Sequence, residues 1–177
     1  GKPGFYTATA EGDAEVVFTQ TNGKITYQLW NPGTVGFTRL ERTVTESVCD
    51  LDGIPLSIGL SRYEHKSGEI EVRVSVDTNL TTLSTNRYAL TEREQTWADG
   101  DLEEKFVKLM IEDDIFYDGT FRVVLKAEVV SSTAGDATLA EGREVYTLTV
   151  TEDDIQAPGR VYFKRADPGY ARGTMLY

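Results

Sequence analysis

A chain of 177 residues, 40% hydrophobic and 27% charged, is long enough for one sizeable globular domain with extensions. Its net charge of −11 argues against a phosphate-backbone partner, and no apolar run approaches the roughly 20 residues that span a bilayer, so neither nucleic-acid binding nor membrane insertion is expected. One cysteine, Cys49, and one histidine, His65, leave no internal disulfide, no thiolate cluster and no multi-histidine zinc site.

The chain opens Gly1-Lys2-Pro3-Gly4 without a Met, as expected of a mature or excised product. Beyond it, apolar residues alternate with period two. Ile25, Tyr27 and Leu29 share one face, as do Leu56, Ile58 and Leu60. Ile70, Val72, Val74 and Val76 alternate with Glu71, Arg73 and Ser75, and the pattern returns at Phe121-Val123-Leu125 and Tyr146-Leu148-Val150. Such segments are strands with one buried and one wet face. Asn22-Gly23, Asn31-Pro32-Gly33, Asp52-Gly53, Ser67-Gly68, Asp99-Gly100, Asp118-Gly119 and Pro158-Gly159 supply the turns between them. Helical spacing is conceivable only over Leu90–Leu102, and Thr96-Trp97 with Asp99-Gly100 speak against it. The expected class is all-β, two packed antiparallel sheets.

An internal echo suggests the boundaries. Asn31-Pro32-Gly33-Thr34-Val35-Gly36-Phe37 is similar to Ala157-Pro158-Gly159-Arg160-Val161-Tyr162-Phe163, and Gly12-Asp13-Ala14 to Gly135-Asp136-Ala137, in the same order at nearly the same spacing. Residues 1–31 then read as closing strands of a preceding module or an extension, 32–155 as a complete module, and 156–177 as a linker and the opening strand of a following one.

Acidic residues follow three of the strands. Glu46 ends the segment that begins at Gly36; Asp113 and Asp114, with Asp118 beyond, follow Phe106–Ile111; Glu152, Asp153 and Asp154 follow Val145–Val150. If these strands run in one direction, the acids arrive at one end of the sandwich. Like charges about 4 Å apart repel by about 4 kcal/mol at an effective dielectric of about 20, so a cation is expected among them. Ca²⁺ accepts oxygen ligands in loose geometry, whereas Mg²⁺ requires a strict octahedron.

Several of these features resemble the Calx-beta domain, known from sodium/calcium exchangers and many extracellular adhesion proteins. They are Thr43-Val44-Thr45-Glu46, Arg87-Tyr88 where the family often has Asp-Tyr, Asp99-Gly100-Asp101, Ile111-Glu112-Asp113-Asp114-Ile115-Phe116, and Tyr146-Thr147-Leu148-Thr149-Val150-Thr151-Glu152-Asp153-Asp154. The resemblance covers roughly residues 33–155 and implies an Ig-like sandwich of about seven strands, with extra strands from flanking fragments. It implies Ca²⁺ held by Glu46, Asp113, Asp114, Glu152, Asp153 and Asp154, with Asp118 compensating for Tyr117 and Thr120, which stand where calcium-binding members often carry Glu. The family's middle-loop Asp-Gly has no counterpart in Thr78–Asn86.

The expected role is that of a non-enzymatic structural or adhesion module at a cell surface. Its partners would be neighbouring modules of one array or like subunits, and calcium would stiffen the junction at 152–159. The earlier junction, Leu29-Trp30-Asn31-Pro32, lacks those acids. Two alternatives are a calcium sensor and a filament subunit that completes neighbouring sheets with strands 16–30 and 160–177. Trp97 reads as a core or edge aromatic, His65 as part of an exposed hairpin tip, Cys49 as a small apolar residue, and Asn79-Leu80-Thr81 as a glycosylation sequon relevant only in a eukaryotic secretory host. Carboxylates are plentiful, but nothing marks the opposed pair in a cleft that a glycosidase needs, so an enzyme is the least favoured class.

Overall fold

The computed structural model describes residues 15–21, 24–46, 55–112, 117 and 119–154. Cys49, the acidic-loop residues Asp113, Asp114 and Asp118, and the segment from 155 onward lie outside the described residues, as does one copy of each turn in the internal echo. Strand β1 (Glu15–Thr21) pairs antiparallel with β2 (Lys24–Trp30), Glu15 opposite Trp30, as a two-stranded sheet.

The remaining strands are β3 (Thr34–Phe37), β4 (Glu41–Thr45), β5 (Leu56–Tyr63), β6 (Ile70–Val76), β7 (Tyr88–Thr91), β8 (Glu94–Trp97), β9 (Lys105–Ile111), β10 (Phe121–Ser132), β11 (Thr138–Leu139) and β12 (Val145–Thr151). They form two five-stranded sheets, ordered β4-β12-β10-β6-β8 and β11-β3-β5-β9-β7. The expected all-β sandwich is thus present. The expected strand runs also hold, and two further segments each pass from one sheet to the other. The run 34–45 crosses from one sheet as β3 to the other as β4, and 88–97 crosses as β7 and β8. Glu92 takes a left-handed φ of 51° at the second crossing. These crossings link the two sheets along both flanks.

Period-two burial makes the core. Val72, Val74, Leu109, Val123, Leu125 and Leu148 are fully inside, and Phe37 and Tyr146 meet across the layers with ring centres 5.7 Å apart. The region 90–102 that allowed a helical reading is two strands and a turn, with Trp97 fully buried. His65 is exposed in its turn, as expected.

Arg62 organises one end of the sandwich. It is only 4% exposed, and its guanidinium donates to the carbonyls of Pro32 (2.8 Å), Ser67 (2.7 Å), Gly68 (3.0 Å), Ala98 (3.3 Å) and Asp101 (3.5 Å). Burial pulls its pKa down, and the charges of Asp99 and Asp101 pull it back up. Gly33 sits beside this knot with φ +78°, where a Cβ would fall 2.3 Å from the Tyr63 carbonyl, so the turn into β3 requires glycine.

Where β6 stops, residues 77–82 continue along β10: the Asp77 amide donates to Val124 O at 2.8 Å and the Thr82 amide to Arg122 O at 2.9 Å. Lys126 Nζ donates to Asp77 Oδ2 at 2.6 Å, and Lys105 Nζ to Asp101 Oδ2 at 2.8 Å. These lysine bonds come first among the causes that hold both carboxyls below the ordinary carboxylate range. A carboxyl with a depressed native pKa stabilises the fold above its unfolded value of about 3.9 and loses that contribution as pH falls through its native value. Urea midpoints should therefore drop on acidification below about pH 4, and Asp77→Asn should shrink that drop. An Asp77→Asn profile parallel to wild type would contradict this assignment.

Candidate metal centre

The pole opposite Arg62 is assembled from strand ends. β9 begins beside Asp101, with Lys105 paired to it, and runs away from that end to Ile111. On the other sheet β4 and β12 are parallel and in register, from Glu41 opposite Thr147 to Thr45 opposite Thr151. Thr151 Oγ1 donates to Val44 O at 3.1 Å and fixes that register at its last rung. The next residue on each strand is then an acid, and Glu46 and Glu152 arrive side by side.

Glu46 has a fully buried side chain, Glu152 is half-buried and Asp153 is exposed, and one carboxylate oxygen from each lies within 4.8 Å of the others. Two oxygens each 2.3–2.6 Å from one calcium ion are at most about 5 Å apart, so this spacing suits a shared ion. Glu152 Oε1 accepts the amides of Asp153 and Asp154 at 3.1 Å each, which closes the turn. Of the seven residues expected to hold metal, the structure brings together Glu46, Glu152 and Asp153. Asp154 belongs to the same turn but not to the converging group, and Asp113, Asp114 and Asp118 lie outside the described residues.

Arg87 is the participant the sequence reading missed. It ends a 3₁₀ turn (Thr85–Arg87) in which its amide donates to Ser84 O at 3.0 Å, and its carbonyl accepts the Glu112 amide at 2.8 Å. Its guanidinium pairs with Glu46 Oε1, donates to Glu112 O at 3.4 Å and lies 5.4 Å from the centre of the Phe121 ring. The side chain is 12% exposed. The contact to Glu112 also brings the end of β9 to this pole, as the common strand direction required. The signal was present in the sequence: a cation at Arg87, where the resemblance leads one to expect Asp, next to a segment, Thr78–Asn86, without any carboxylate. Its range, across to Glu46 just past β4 of the other sheet, was not.

The donor set therefore fits one hard cation on the Glu46–Glu152–Asp153 side. Among the described residues, Arg87 brings a positive charge to the other side of Glu46.

No family model matches the chain, and no curated protein matches it in sequence. Solved structures match its architecture. A Calx CBD2 domain superposes with a TM-score of 0.54 at 14% identity over 69% of this chain and 88% of that one. CBD12 from CALX1.2 gives 0.52 at 15% identity, over 68% and 44%. A putative carbohydrate-binding protein from Bacteroides ovatus ATCC 8483 gives 0.52 at 11% identity, and the chain spans 67% of its own length but only 36% of that protein's. At such identities the likeness is one of fold, and the fold of this chain is that of the Calx CBD domains.

Proposed function

We infer that this chain is a non-enzymatic, Calx-beta-like structural module of an extracellular repeat protein, which holds a calcium ion between Glu46, Glu152 and Asp153 and thereby stiffens the junction that follows β12. The observation that carries this reading is the in-register parallel pairing of β4 and β12, which sets a buried carboxylate against two more just past the end of β12. When bound, the ion would supply charge neutralisation and a rigid link between the last strand and the residues beyond it. The chain's own part is to present oxygens.

Thermal melts in calcium and in EGTA, with isothermal titration beside them, test this. A ligand at about a hundred times its Kd adds about 2.7 kcal/mol to stability, so millimolar calcium should raise the midpoint by several degrees. The double variant Glu152→Gln with Asp153→Asn should lose that rise while staying folded, because neither side chain belongs to the core. A midpoint that ignores both calcium and chelator would remove the reading. A large change in circular dichroism or hydrodynamic radius on binding would favour the sensor alternative over a strut.

A further inference from the structure

Resting on the calcium reading above, we propose that Arg87 is a resident counter-cation of this pole and that a divalent ion binds there in competition with it. The Glu46 carboxylate is fully buried, and an uncompensated charge in that setting is strongly destabilising. Arg87 supplies the compensation from the turn that leads into β7 of the other sheet. Its position is set independently of any metal, by the 3₁₀ turn, by the backbone bond to Glu112 and by the face of Phe121. The segment that leads to it, Thr78–Asn86, carries no carboxylate, so among the described residues that segment brings a fixed positive charge and no acidic ligand to the pole.

Guanidinium and metal call on the same carboxylate. Glu46 Oε1 is bonded to Arg87, and Glu46 is also the buried member of the converging acids. A divalent ion held by those acids would sit within one side chain's length of the guanidinium, and repulsion at that range is worth a factor of ten or more in affinity, on the order of what Coulomb's law gives at an effective dielectric of about 20. The pole is therefore built to fold with its own cation and to take calcium only where calcium is abundant, as it is outside cells. Arg87 thus sets the calcium threshold of the module.

The test compares wild type with Arg87→Gln, Arg87→Lys and the double variant Arg87→Gln with Glu46→Gln, by calcium titration calorimetry and by melts in EGTA or calcium chloride. Arg87→Gln should bind calcium at least about tenfold more tightly than wild type. In EGTA its midpoint should fall by about 5 °C or more, and calcium should restore it. Failure of this variant to fold until calcium is added would be the same result in a stronger form. Arg87→Lys, which keeps the charge, should stay near wild type in both readouts, and the double variant should regain much of the midpoint lost in EGTA. If Arg87→Gln binds calcium no more tightly than wild type, the proposal is overturned while the calcium reading stands. If none of the proteins binds calcium, the calcium reading falls and the competition falls with it.

Discussion

Arg62→Ala should cost about 3 kcal/mol or more of unfolding free energy and lower the midpoint by roughly 10 °C. The side chain is almost wholly inside and fans its donors over five carbonyl oxygens from three separate segments, around Pro32, Ser67–Gly68 and Ala98–Asp101. Alanine would leave those acceptors without donors and open a void between the loops. Lysine should rescue little, because an ammonium has three donors and no planar fork. Chemical denaturation of Arg62→Ala and Arg62→Lys is the measurement. A loss below about 1 kcal/mol would mean that water takes over the carbonyls at little cost, and the knot would then be ornamental.

Trp97→Ala should be comparably damaging, by about 3–5 kcal/mol. The ring is fully buried at the end of β8, opposite Ile70, itself fully buried in β6. Its Nε1 donates to Glu103 O at 2.7 Å, which ties the 98–104 turn to the core. Trp97→Phe separates the two contributions. It keeps much of the apolar volume but orphans the Glu103 carbonyl, so a loss of about 1–3 kcal/mol is expected. Equal losses for the alanine and phenylalanine variants would show that the hydrogen bond, not the packing, dominates. Urea midpoints for the two proteins would decide it.

These two residues show the limits of a sequence reading well. Trp97 was legible as a core or edge aromatic, because it sits at the end of an alternating run. Arg62 was legible in position but not in role: period two puts it on the same face as Leu56, Ile58 and Leu60, where a lone charge has no evident partner in the local sequence. The register with β3, in which Arg62 lies opposite Val35, places it on the inward face at the mouth of the sandwich. Only the convergence of three turns there supplies carbonyls enough to keep it.

At the other pole the acids at 46 and 152–153 were legible because each follows a strand of clear periodicity. That they meet depended on β4 and β12 being parallel neighbours, a pairing between segments about a hundred residues apart in the chain. Local patterning is silent about such pairings.

What the sequence determined by itself was the local grammar: which residues turn inward in each strand, where the turns fall, and that the strand ends are acidic. Each of these follows from side-chain hydrophobicity at period two and from the backbone preferences of Gly, Asn, Asp and Pro, which act over a few residues. What only the tertiary structure decided was which strand ends become neighbours and what charge faces them. Arg87 precedes β7 of one sheet and Glu46 follows β4 of the other, and a salt bridge between them exists only once both layers have packed, because the energy of a charge depends on what surrounds it in space.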